Sequence, residues 1–163
     1  MATPLVERGR PRGVLRWALR SPIVLYRARM GWLLGGRFLM LTHTGRTSGA
    51  KRRTVVEVVD HDAATDTYFI ASGWGEKSDW LQNVTRTPRV TVDVGARRFQ
   101  ADAVRLPVDE AVGVLGAYAR HHPRAFAQLG KLMIGERLTA APEECRRLAE
   151  RAPLVALRPI APS

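Results

Sequence analysis

The chain has 163 residues, 45% hydrophobic and 25% charged, enough apolar content for one globular unit with its own core. A single cysteine, Cys145, excludes an internal disulfide, and no Cys/His cluster has zinc-ligand spacing, so no metal is expected. The net charge of +11 is one-sided: Arg8 to Val56 holds twelve Lys/Arg and no Asp or Glu, so with Glu7 subtracted it supplies the whole excess, whereas the remainder is neutral. Such a block calls for an anionic partner: a phosphorylated cofactor, a lipid surface or nucleic acid.

Residues 1–12 read as a flexible Pro, Gly and Arg rich tail within a single domain of residues 1–163. Arginines recur from 12 to 29 without an apolar run and cleavage site, so a secretory signal is not expected. No stretch approaches the roughly 18 apolar residues that span a bilayer. Residues 13–36 read as basic amphipathic helices, the second opening at Ser21-Pro22 and stopped by Gly35-Gly36. From residue 37 to 158 the pattern becomes mainly β with flanking helices. β-branched and aromatic runs at Phe38–Thr42, Thr54–Val59, Thr67–Ala71, Val90–Val94 and Phe99–Val104 predict strands joined by hairpins. A short helix from Ser78, with Ser78 as N-cap, interrupts them. Helices are expected after Pro107, over Pro123–Ile134 and over Pro142–Ala152, and a closing strand over Leu154–Leu157. Mostly hairpin connections imply an antiparallel barrel decorated by helices.

Two segments carry chemistry. In Thr42-His43-Thr44-Gly45-Arg46-Thr47-Ser48-Gly49-Ala50-Lys51-Arg52-Arg53-Thr54, glycines permit close backbone approach while hydroxyls, amides and four cations surround oxyanions. This is an anion-binding loop without Walker or dinucleotide spacing; the plain alternative is a solvated basic hairpin. In Ala71-Ser72-Gly73-Trp74-Gly75-Glu76-Lys77-Ser78-Asp79-Trp80, small residues and two tryptophans around a lysine suit a flat ring, against the alternative that Trp80 is a core residue.

Together these segments resemble the deazaflavin-dependent nitroreductase family, which uses coenzyme F420. Its pattern is matched by Leu41 to Thr54, Ala71-Ser72-Gly73, Lys77, Trp80 to Val84 and Thr87-Pro88-Arg89-Val90-Thr91-Val92, over roughly residues 37–105. Departures are Thr47 where a basic residue often stands, Val84 where leucine is usual, and a short loop carrying Trp74. The resemblance implies a split β-barrel shared with FMN-binding proteins. It implies an F420-dependent oxidoreductase in which Arg46, Ser48, Gly49, Lys51, Arg52, Arg53 and Thr54 hold the cofactor's phosphate and glutamate tail. Ala71, Ser72, Gly73, Lys77 and Trp80 then line the ring, and FMN is the alternative cofactor. Hydride would pass from the reduced cofactor to a quinone, an enone or a nitroaromatic. Tyr118 is the candidate catalytic residue, with His121 and His122 beside it, against surface or packing roles for all three. His43 is read as structural.

The expected partners are this small electrophile and, through the N-terminal helices, an anionic membrane surface. The expected location is cytoplasmic, at the inner face of the membrane. Nucleic acid is not expected, since no reading motif accompanies the basic block, and the chain is taken as a monomer or homodimer.

Overall fold

In the computed structural model, residues 38–73 and 75–161 are described; the basic helices expected over residues 13–36, and Trp74, lie outside them. The described chain runs β1 (Phe38–Thr44), β2 (Lys51–Asp62), β3 (Thr67–Ala71), a single 3-10 turn (Gly75–Lys77), α1 (Asp79–Arg86), β4 (Arg89–Val94) and β5 (Arg97–Arg105). It continues with α2 (Val108–His121), α3 (Pro123–Ile134), α4 (Pro142–Arg151) and β6 (Leu154–Pro159).

The strands close into an antiparallel barrel in the order β1-β2-β3-β6-β5-β4, with β4 returning to pair β1. Closure leaves no sheet edge among these strands. The mainly β, helix-flanked barrel expected from the hairpin pattern is the fold observed.

Period-two alternation divides the apolar residues between two cores. Leu39, Leu41, Val56, Ile70, Val90, Val92, Ala101, Val155 and Leu157 point inward and fill the barrel. Trp80, Leu81 and Val84 on one face of α1 join them and plug one end. The second core lies outside the wall: Ala71, Leu154 and Ala156 pack against Leu115, Ala119, Phe126, Met133 and Leu148 of α2, α3 and α4. Each fully buried large side chain contributes roughly 1.5–3 kcal/mol, so neither layer is dispensable. Cys145 is buried in this outer core, where burial pushes its thiol up, as an inert structural cysteine requires.

One strand differs from expectation in an informative way. β2 extends from Lys51 to Asp62, taking in basic residues assigned to the loop and acidic residues assigned to the turn. By ordinary alternation the consecutive valines 58 and 59 serve different cores, Val59 the outer one and Val58 the inner one, and a bulge then shifts the register with β3 between Val58 and Asp60.

Candidate active site

The β1–β2 loop and the described residues of the 71–80 segment meet at the end of the barrel plugged by α1. The β1–β2 loop is built by two backbone hydrogen bonds, Gly45 N–H to the Ala50 carbonyl at 2.8 Å and Gly49 N–H to the Gly45 carbonyl at 2.9 Å. Gly49 has φ +70°, which a side chain would strain. At Gly45 a Cβ would lie 2.9 Å from Ser48 Oγ and 3.3 Å from the Ala50 carbonyl oxygen. Ser48 Oγ in turn accepts the Ala50 N–H at 3.2 Å. The loop is therefore wound tightly by its own polar groups.

Its cations fall on two sides of β2. Lys51 and Arg53 pair with Thr44 and Thr42 of β1, and Lys51 Nζ donates to Thr44 Oγ1 at 3.2 Å. Arg52 pairs with His43, whose buried ring faces the barrel mouth. Lys51, Arg52 and Arg53 are exposed, and among the described residues no carboxylate lies within ion-pair distance of any of them, so their charge is available to an anion. Thr54 is half-buried behind them.

Arg46 behaves differently. Its backbone N–H and its Nη1 both donate to Asn83 Oδ1, at 3.1 and 3.0 Å, and its Nη2 donates to Asp79 Oδ1 at 3.2 Å. With its oxygen so engaged, the Asn83 amide turns its nitrogen to His43 Nδ1 at 3.0 Å. An amide nitrogen only donates, so His43 Nδ1 accepts and the ring carries its proton on Nε2. Burial, followed by the nearby Arg52 charge, lowers His43 to about 4 against an opposing pull from Asp79, which keeps the ring neutral.

The second segment is equally ordered. Ser72 is fully buried; its N–H bonds the Pro153 carbonyl at 2.9 Å and its Oγ donates to the Gly75 carbonyl at 2.7 Å. Its hydroxyl is thus a structural clasp for the turn that follows. Ala71 and Gly73 are also buried, whereas Lys77 is exposed on the turn. Glu76, next to it, pairs with Arg105 of β5. Trp80 is 6% exposed and belongs to the barrel core, the alternative weighed for it. Ser78 precedes α1 at the N-cap position but makes no side-chain capping bond.

A cleft of about 560 Å³ opens between β2 and the helices, lined by Glu57, Val58, Tyr118, His122, Arg124 and Leu129 among others. This is within the usual range for small-molecule sites. Val58 pairs with Ile70, so Glu57 stands one step along β2 toward Ala71 and the ledge. The Tyr118 ring lies tilted against His122 with centroids 5.4 Å apart and edge-on at 6.4 Å against Phe126. His121 instead bonds the Ala117 carbonyl at 2.7 Å on the exposed side of α2. The structure thus brings Tyr118 and His122 to the cleft and leaves His121 out. Glu57 and Arg124 had no local sequence signal, because the cleft exists only once α2 and α3 lie against β2. Among the described residues no His/Cys/Asp/Glu group could hold a metal ion.

The fold and the site define a split-barrel cofactor enzyme, and comparison with known proteins agrees. A pyridoxamine 5'-phosphate oxidase-related, FMN-binding protein from Nostoc punctiforme superposes with a TM-score of 0.53 at 14% identity, covering 91% of this chain and 82% of its own. A structure described as an F420-H2 dependent reductase, FDR-A, gives a TM-score of 0.51 at 19% identity over 75% of this chain and 94% of its own. A third, described as a domain-swapped dimer, gives 0.51 at 16% identity over 85% and 100%. Comparison with curated proteins gives no match. The family model for F420H(2)-dependent quinone reductase matches residues 19–128, more than half of the chain. The chain belongs to that family: it is an F420-dependent reductase. The expectation drawn from the loop and ledge motifs holds at this level.

Proposed function

We propose that the protein passes hydride from reduced F420 to a quinone or a related electrophile, an enone or nitroaromatic, seated in the cleft between β2 and helices α2 and α3. The carrying observation is the layout of β2. Lys51, Arg53 and Glu57 alternate onto one face of the strand, and six residues of β structure separate the loop from the cleft, about 20 Å. An extended cofactor with a ring at one end and a polyanionic tail at the other fits that layout. The tail lies against Lys51, Arg52, Arg53 and the exposed Ser48, with Arg46 shaping the loop. The ring lies beside Ala71 and Gly73, near Lys77.

When bound, reduced F420 supplies the hydride. The chain's own residues supply position and charge. The apolar walls from Val58 and Leu129 exclude water from one side of the cleft, and Arg124 at its rim favours the negative charge that grows on a reduced quinone oxygen. The Tyr118 hydroxyl is assigned as proton donor to that oxygen, with His122 against its ring.

The first experiment is fluorescence titration with oxidised F420 and, separately, FMN at two salt concentrations, followed by turnover of quinones, enones and nitroaromatics with the reduced deazaflavin. Salt-weakened binding of F420 alone is expected; preferential FMN binding would overturn the cofactor placement. Tyr118→Phe should lower kcat/KM roughly tenfold or more and leave the F420 Kd unchanged. An unaltered rate would remove Tyr118 from the chemistry.

We also propose that the basic N-terminal third draws the enzyme to the cytoplasmic face of an anionic membrane, where lipophilic quinones reside. Among the described residues no helix is long and apolar enough to cross a membrane. Co-sedimentation with anionic but not neutral vesicles is the expected result, and equal pelleting with both would overturn it. A monomer–homodimer assignment follows from light scattering of the same sample.

A further inference from the structure

We propose that Asn83 is a positioning residue for cofactor binding: one side-chain amide, fixed at its nitrogen by a buried neutral histidine, holds the anion-binding loop through Arg46. This rests on the reading that the loop receives the F420 tail.

Asn83 sits on α1 between Trp80 and Val84, is 4% exposed, and is separated from Arg46 and His43 by 37 and 40 residues. It is the point at which helix and loop are joined. Its oxygen takes two donors from one residue, the Arg46 N–H at 3.1 Å and Nη1 at 3.0 Å. A side chain that grips both backbone and guanidinium of the same arginine fixes the loop's path and the arginine's rotamer together. Asp79, one turn earlier on α1, takes the other guanidinium nitrogen.

His43 sets the direction of this grip. An amide can turn over and exchange its oxygen and nitrogen; here a turned amide would put its oxygen against the lone pair of His43 Nδ1 and its nitrogen against the Arg46 donors. Both contacts are repulsive. The histidine works only while neutral, and the charged groups around it are Arg52 from β2 and Asp79 from α1. The arrangement thus keeps a buried, uncharged acceptor beneath a loop whose exposed face is strongly cationic.

The distinguishing variant is Asn83→Asp. The carboxylate still accepts from Arg46 but faces His43 with a second acceptor, so Nδ1 must carry a proton, by a move of the ring's own proton from Nε2 or by a second proton that charges the ring. F420 affinity should fall at most about threefold in this variant, because the grip on Arg46 remains, against roughly tenfold in Asn83→Ala. Histidine NMR titration should show the His43 transition displaced upward in the same variant. Asn83→Ala should weaken binding at every pH, with thermal melting of each variant as the folding control. Arg53→Ala separates the two levels. If it leaves the F420 Kd unchanged, the tail placement itself fails. If it weakens binding while Asn83→Ala binds as wild type, or Asn83→Asp weakens binding as much as Asn83→Ala does, the positioning role is overturned.

Discussion

Arginine is used in two different ways within one loop. Arg46 is half-buried and committed to Asn83 and Asp79, so its guanidinium is scaffold as much as charge. Arg53, exposed on β2, is charge alone. Arg53→Ala should therefore weaken F420 binding roughly fivefold at low salt and flatten its salt dependence; titrations at two ionic strengths that gave parallel losses would contradict this. Arg46→Ala should cost more and alter the loop besides. His43 carries a separate signature in stability. Its folded value of about 4 lies below the ordinary 6.5, so between the two the unfolded chain binds the extra proton. Stability is complete above about pH 6.5 and is lost as the pH falls toward about 4, by at most roughly 3 kcal/mol. Urea unfolding at several pH values should show this loss in the wild type and a smaller one in His43→Asn, which keeps an acceptor but cannot titrate. Of the residues that matter here, the glycines and cations of the loop were legible because their spacing is local. His43 and Asn83 were not assigned this work. Their bond spans 40 residues of sequence, and an Asn in a helix or a His in a strand has no local pattern that reveals it.

Elements were legible in kind and less so in extent. β3 and α3 match their expected spans, Thr67–Ala71 and Pro123–Ile134. Strand β2 was read short because exposed basic and acidic residues at its ends look like loop, although as one arm of a long hairpin they need only a backbone partner. The cleft was invisible to periodicity for a related reason: it depends on how closely α3 approaches the segment behind it. Gly130 governs that approach. A Cβ there would meet Leu138 Cγ at 2.5 Å and the Glu136 carbonyl oxygen at 2.8 Å, and the second of these is backbone. Gly130→Ala should push α3 outward, lower stability by roughly 1–3 kcal/mol, and weaken acceptor binding through Leu129 and Arg124. Calorimetric melting together with KM for a quinone checks both effects. A variant with wild-type melting would show that α3 is not held there.

At the scale of the molecule, one end of the barrel bears the chemistry and the other is tied off. The β2–β3 turn is joined to the β4–β5 turn through Asp66, which pairs with both His61 and Arg97. His61 stacks on Tyr68 with ring centroids 4.0 Å apart. The Arg97 and His61 contacts hold the Asp66 carboxyl down to about 2, so these ties survive mild acid even where the His43 region weakens. Of the twelve cations in the one-sided basic block, Arg46, Lys51, Arg52 and Arg53 stand at this loop, and the other eight lie outside the described residues.

The strand order carries a consequence for how the chain comes into being. Strand β6, the last of these six in chain order, inserts between β3 and β5. Until residues 154–159 emerge, a nascent chain holds five strands with two raw, apolar borders, each able to recruit a stranger. Ending the chain before Leu154 should accordingly yield insoluble protein in place of a weaker enzyme, and fractionation of the expressed fragment decides it: soluble, monomeric material would show that the ring can wait for its final stave.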